Sequence, residues 1–372
     1  VIIDFSIPTR VVFGRGRLAE LGRETRALGA SALLVCGRNA MRSNGILAAA
    51  LSVLGQAGVR AEVFDQVSPD PRSVEVDAAV RMAVQSSCDV IVGLGGGSAL
   101  DAAKATAIGM RHGESGPLVG RTLPATEDAV PVVAVPTTAG SGAEVTKGAI
   151  ITDTERGLKS GIRGEDLFPR VAVVDPDLLR SVPGGLAAET GFDALAHAVE
   201  GYVARRANRL TRLFALEALD ILGGCLTRVV AGETGAELHE RMALAALLGG
   251  LNVATASTCL PHRMQQSMGS VPAVAISHGR GLATIYPTWL AHAYSHATAE
   301  FDTIGRLLGD DDVHTAVSRL LSELGLPRRL SEGGFGPQHI DRLLAGVTGN
   351  VDNDPVPGIN GELIRELYER AL

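Results

Sequence analysis

Through its first half the chain alternates short apolar runs with longer stretches whose apolar residues recur every three or four positions. Residues 31–36, 89–94, 131–135 and 171–174 are short runs apolar throughout apart from Ser31 and Asp89 at their starts, and 61–64 is a mixed one. Their length predicts strands, most of them buried on both faces. Residues 46–58 and 74–86 carry the helical period. Strands alternating with helices in this way build βα units on a mostly parallel sheet. The segments 11–14 and 149–152 predict shorter, more peripheral strands.

The character changes at Asp175-Pro176-Asp177. Beyond it, helical periodicity and capping residues dominate, and 210–230, 236–256 and 315–324 are the clearest helices. Residues 333–337 read as a loop and 352–355 as a turn before a last helix. The expected architecture is an α/β dinucleotide-binding domain over 1–175 followed by an all-α domain over 176–372. A chain of 372 residues is long for a single core, which favours two domains.

Composition narrows the function. With 46% hydrophobic and 20% charged residues the chain is a packed globular protein rather than a disordered one. A net charge of -7 without a block of like charges argues against nucleic acid or an anionic membrane as partner. Cys36, Cys88, Cys225 and Cys259 have no C-x-x-C spacing, so neither a thiolate metal site nor a disulfide framework is indicated. No leader-like segment and no uninterrupted apolar run of about 18 residues is visible. A cytoplasmic protein is expected.

Two loops and one helix carry the candidate chemistry. Gly95-Gly96-Gly97-Ser98 follows a buried strand and opens a helix. Glycines let a backbone approach a pyrophosphate, and free amides at a helix start attract its charge. Ser98 adds a hydroxyl, and Asp101 in the first turn could accept from a ribose or nicotinamide group. The stretch is not G-x-G-x-x-G, and a plain strand-to-helix turn would also use glycine. Thr137-Thr138-Ala139-Gly140-Ser141-Gly142 also follows a strand and offers hydroxyls to a flat cofactor, although Gly/Ser connections are common. Between Glu189 and Glu200, Asp193 and His197 stand four residues apart on one helix face. That is half of a divalent-metal site, and equally an ordinary helical pair.

Taken together, these three motifs, in this order and with this domain switch, resemble the iron-containing (group III) alcohol dehydrogenases almost from end to end. The resemblance implies a cleft between the domains holding metal, nicotinamide and substrate, in the architecture shared with dehydroquinate synthase. It implies that Asp193, His197, His262 and His278 are the metal ligands and the catalytic centre. The ligand set suits Fe(II) or Zn(II). On the cofactor side it implies Gly37, Arg38, Asp70, Gly95, Gly96, Gly97, Ser98, Asp101, Thr137, Thr138, Ser141, Thr146 and Lys159. A homodimer is also implied.

The chain departs from the family pattern in places that bear on substrate and cofactor. Where relatives often carry a second histidine four residues after the third ligand, it has Gln266, and a neutral amide cannot relay a proton as imidazole does. Arg263 directly follows His262 and has a fork of donors suited to carboxylate or phosphonate. The expected reaction is hydride transfer between nicotinamide and a small aldehyde, with an anionic one such as a phosphonate or maleylacetate-like compound favoured. Plain short-chain aldehydes and alcohols are the alternative, and a catalytically inactive nucleotide-binding relative is another. Gly37 replaces the Asp of NAD-preferring relatives, with Arg38 and Arg42 beside it, which favours NADP(H) over NAD(H). A cyclase of the dehydroquinate-synthase kind is disfavoured, since Asp193 stands where those enzymes use Glu and no lysine cluster accompanies it.

Overall fold

Six parallel strands form the main sheet, in the order β1-β8-β5-β4-β2-β3. They are β1 (Arg10–Phe13), β2 (Ser31–Gly37), β3 (Arg60–Val67), β4 (Val90–Gly95), β5 (Val132–Pro136) and β8 (Val171–Val174). The computed structural model describes residues 3, 5–126 and 129–372. Every residue of β4, β5 and β8 is buried, which explains their uninterrupted apolar sequence. The edge strand β3 alternates exposed and half-buried positions over its first four residues and reads as a mixed run. Helices Ile46–Gln56, Ser73–Gln85 and Gly97–His112 flank the sheet. The last of these is rich in alanine, and Ala102, Ala103, Ala105 and Ala107 pack into the core beside β4.

Residues 149–152 do form a strand, but not in the main sheet. β6 (Gly148–Asp153) pairs antiparallel with β7 (Leu158–Arg163) in a separate two-stranded sheet. β7 leaves no signature in the sequence, because Leu158-Lys159-Ser160-Gly161-Ile162-Arg163 has no apolar period of its own. Its pairing with β6 makes it a strand.

The chain divides into two compact units, residues 7–138 with 143–182, and residues 3, 5–6, 139–142 and 183–372. The second is helical, with Gly184–Val203, Arg209–Val230, Ala236–Ala256, Leu260–Ser267 and His278–Ala293 as its chief elements. The Gly184–Val203 helix is its centre, buried without interruption from Gly191 to Val203. It packs through Phe192, Leu195 and Val199 into a core that includes Leu219, Leu222, Tyr286 and Trp289. Among the described residues no single helix is long and apolar enough to cross a membrane.

Candidate metal centre and dinucleotide loop

Asp193 and His197 stand one turn apart on the Gly184–Val203 helix, both buried. His262 lies in the first turn of Leu260–Ser267, where Pro261 is tolerated because its missing amide needs no partner. His278 is the first residue of His278–Ala293. Gly279 behind it makes the approach possible: a Cβ there would lie 2.2 Å from the carbonyl oxygen of Glu189.

These elements bring three imidazoles onto one carboxylate oxygen. Asp193 Oδ1 is 3.5 Å from His197 Nε2, 3.3 Å from His262 Nε2 and 3.2 Å from His278 Nε2. Ligand atoms of Asp193, His262 and His278 all lie within 4.8 Å of one another. The His197 ring stacks on His262, centroids 4.7 Å apart. His197 Nδ1 is 3.3 Å from the Gly140 carbonyl oxygen, which only accepts. A proton on Nδ1 therefore leaves the Nε2 lone pair facing Asp193.

The electrostatics suit a cation. Burial pushes the Asp193 carboxyl up, but the imidazoles of His197 and His278 and hydrogen bonds from His262 and His278 outweigh it and hold it well below the usual range. Burial, helped by His262 and His278, lowers His197 to about 4 against the pull of Asp193, so this ring is neutral and able to ligate. Burial also disfavours charge on His262, yet Glu200 and Asp193 raise it to about 9. A buried carboxylate facing three ring nitrogens is a donor set that fits one divalent ion such as Fe(II) or Zn(II).

Arg263 and Gln266 are buried beside the ligand helix. Arg263 donates to Thr258 Oγ1 at 3.0 Å, Ser257 Oγ at 3.3 Å and Gln266 Oε1 at 3.4 Å. Ser257 adopts φ 62°, a left-handed conformation that a non-glycine residue seldom takes.

In the α/β unit, β4 runs into Gly95, whose φ of 149° turns the chain toward Gly96, Gly97 and the helix start. Gly96 lies against Thr138, whose Oγ1 would be 3.1 Å from a Cβ there. The side chains singled out around this loop are largely engaged with other groups of the protein. Ser98 Oγ donates to the carbonyl of Pro69. Asp101 accepts from Ile150 N at 2.9 Å and pairs with Lys104 Nζ at 3.1 Å, so its carboxylate is tied into the protein. Thr146 receives a bond from Lys104 at 3.2 Å. Asp70 pairs with Lys159 at 3.1 Å and accepts from Thr152 at 3.0 Å. Thr137 is buried at the end of β5, and Gly37 ends β2. Ser141 belongs to the segment 139–142 that goes with the helical unit. Arg38 lies 3.3 Å from Glu75, and Arg42 lies 2.6 Å from Asp65.

Sequence reading missed two residues that the structure brings forward. Lys104 is fully buried and donates to the carbonyls of Ala143 and Gly148, which ties the glycine-loop helix to the segment after the threonine loop. Glu200 touches His262 directly. Its signal was present, since positions 193, 197 and 200 follow the i, i+4, i+7 stripe of one helix face.

A parallel-sheet unit with a glycine loop at a strand end, together with a helical unit carrying one aspartate and three histidines, defines a metal-dependent nicotinamide oxidoreductase. The chain belongs to the iron-containing alcohol dehydrogenase family: residues 8–176 match the iron-containing alcohol dehydrogenase model, and 187–372 match the C-terminal model of the same family. It is thus an oxidoreductase acting on CH–OH groups, of the alcohol dehydrogenase and aldehyde reductase type. It is 32% identical over 351 residues to the NAD-dependent methanol dehydrogenase of Bacillus methanolicus, covering 91% of this chain and 92% of the relative. Its fold superposes with a TM-score of 0.95 on an archaeal alcohol dehydrogenase from a Red Sea brine pool, at 29% identity over 100% and 99% of the two chains. The sulfoacetaldehyde reductase of Bifidobacterium kashiwanohense, solved with NAD+, gives 0.86 at 26% identity over 100% and 99%.

Proposed function

We propose that this enzyme interconverts a small aldehyde and its alcohol, with Asp193, His197, His262 and His278 holding one divalent ion and the 95–98 loop holding the dinucleotide pyrophosphate. The observation that carries this is the convergence of His197, His262 and His278 Nε2 on Asp193 Oδ1. When bound, the ion polarises a carbonyl oxygen and the nicotinamide exchanges the hydride. The four side chains supply a fixed, mostly buried donor set. Gln266 stands where relatives often carry an imidazole, and a neutral amide does not relay a proton, so this side chain is not the proton donor.

For the substrate, Arg263 favours a small anionic aldehyde. Its guanidinium is buried one residue from a ligand and oriented by two hydroxyls and an amide, which is how an anion anchor is held. The structural likeness to a sulfoacetaldehyde reductase supports the same reading. For the cofactor, a 2′-phosphate would have to compete with Glu75 and Asp65 for Arg38 and Arg42, and two of the relatives named above, the methanol dehydrogenase and the sulfoacetaldehyde reductase, are NAD-linked. Both points weigh toward NAD(H) over NADP(H). A homodimer is proposed on family grounds.

Elemental analysis of the purified protein, with an aldehyde panel run against NADH and NADPH, tests the whole reading. Sulfoacetaldehyde, phosphonoacetaldehyde and butyraldehyde are compared in wild type and Arg263→Ala. The anionic reading expects a loss of roughly 10-fold or more in kcat/KM confined to the charged aldehydes. An equal loss on butyraldehyde removes Arg263 from recognition and leaves the plain-aldehyde reductase.

A further inference from the structure

Glu200 lies outside the proposed ligand set, one turn beyond His197 on the same helix. It is completely buried, yet both of its oxygens are used: Oε1 is 2.7 Å from His262 Nδ1 and Oε2 is 2.6 Å from the backbone N of Cys259. The Cys259 amide can only donate, so Oε2 must accept. As the ionised acid, Glu200 accepts at Oε1 as well, and this places the His262 proton on Nδ1. In the neutral ring, Nε2, the nitrogen 3.3 Å from Asp193, is then the one left with its lone pair.

The hold extends along the chain leading to His262. Asp354, also fully buried, accepts from Leu260 N at 2.9 Å and from Trp289 Nε1 at 3.0 Å. Asn353 Nδ2 donates to the carbonyls of Ala256 at 2.7 Å and Thr258 at 3.1 Å. The start of the His262 helix is thus gripped from the Asp193 helix on one side and from residues more than ninety positions later on the other.

We infer that Glu200 is a positioning residue for the metal site, fixing His262 as an Nε2 ligand by holding the proton on Nδ1. This rests on the ligand assignment proposed above. The particular residue matters because Glu200 faces two donors. A glutamine turned so that its oxygen serves the Cys259 amide must present its NH2 group to His262, and Nδ1 must then accept, which moves the ring proton to Nε2, facing the ion. Turned the other way, it sets its NH2 group against the Cys259 amide and leaves that buried donor without a partner. Only an acid of this reach satisfies both.

The test uses Zn(II) as the probe, with affinity measured by competition against a chelating dye on the full chain. Glu200→Gln should weaken Zn(II) about 10- to 100-fold, the usual cost of losing an outer-shell partner, while the unfolding temperature of the metal-free protein changes little. In zinc-loaded wild type, imidazole 15N spectra should show a protonated Nδ1 and a ligated Nε2 at His262. A merely structural role would lower the metal-free unfolding temperature and leave zinc affinity alone. Zinc affinity within about 2-fold of wild type in Glu200→Gln, with Asp193→Ala unable to bind, overturns the role of Glu200 and keeps the ligand assignment. If Asp193→Ala binds zinc as wild type does, the assignment itself fails. Should Glu200→Gln not fold, the wild-type spectrum decides alone, and an unprotonated Nδ1 at His262 overturns the inference.

Discussion

The two units build their proposed binding surfaces in opposite ways. In the helical unit the chemistry is carried by side chains: Asp193 meets three imidazoles, and the backbone serves to bring them there. In the α/β unit the polar side chains near the glycine loop are mostly spent on the protein itself. Ser98 bonds Pro69, Asp101 bonds Ile150 and Lys104, and Asp70 bonds Thr152 and Lys159. What remains for a pyrophosphate there is backbone amide, presented by a loop that these bonds hold in shape. The contrast fits the ligands proposed for the two units. A divalent ion needs anionic or imidazole donors at close range, whereas a phosphate is well served by N–H groups that every residue has.

The sharpest way to break this contrast is on the metal side. Asp193→Ala leaves three imidazoles without their shared anion, so bound metal and turnover should vanish together, with kcat/KM down on the order of 10³-fold. Metal content by elemental analysis and aldehyde reduction are the measurements. Full activity in a demonstrably metal-free variant would end the argument for a metal centre.

A pH effect probes how the α/β unit spends its charges. Burial pushes the Glu144 carboxyl up to about 7, against the opposing pull of a backbone hydrogen bond and of Lys104. Between about 4.5 and about 7 the folded state keeps a proton that the unfolded chain has released, so this group lowers stability as pH rises through that window. Glu144→Gln removes the dependence. Thermal unfolding of the variant should match or fall below wild type at acid pH and exceed it above pH 7, by on the order of 3 kcal/mol. A variant that tracks wild type at every pH would show that Glu144 is ionised in both states.

The smallest effect expected is the most direct check of the contrast. If Ser98 serves the loop rather than the cofactor, Ser98→Ala should cost about 1 kcal/mol of stability and change the KM for the nicotinamide dinucleotide by less than about 3-fold. A 10-fold rise in KM at unchanged stability would mean that the hydroxyl touches the cofactor, and side-chain recognition would then operate in both units.

Much of this was legible along the chain. The apolar runs of β2, β4, β5 and β8 announced a parallel sheet because strands covered on both faces have no polar positions to disguise them. The long helices at 209–230 and 236–256 announced themselves by period. β7 did not, since a strand whose stability comes from its partner has no period to display. Asp193 and His197 were visible as a pair because one turn of helix makes them neighbours. Glu200 lay on the same stripe, but a carboxylate on a helix gives no sign of its partner until the fold brings one.

The order of residues by itself determined the strands of the parallel sheet, the long helices that follow them, and the kinds of side chain available as ligands. Those depend on local backbone preference and on which face of an element is apolar, and both are written in neighbouring residues. Only the tertiary structure decided that His262 and His278 meet Asp193, that Asp101 and Ser98 are tied to the protein, and that Glu200 faces an imidazole rather than solvent. Such pairings join positions tens of residues apart, and it is the packed cores of the two units that fix which of many possible partners each polar group finds.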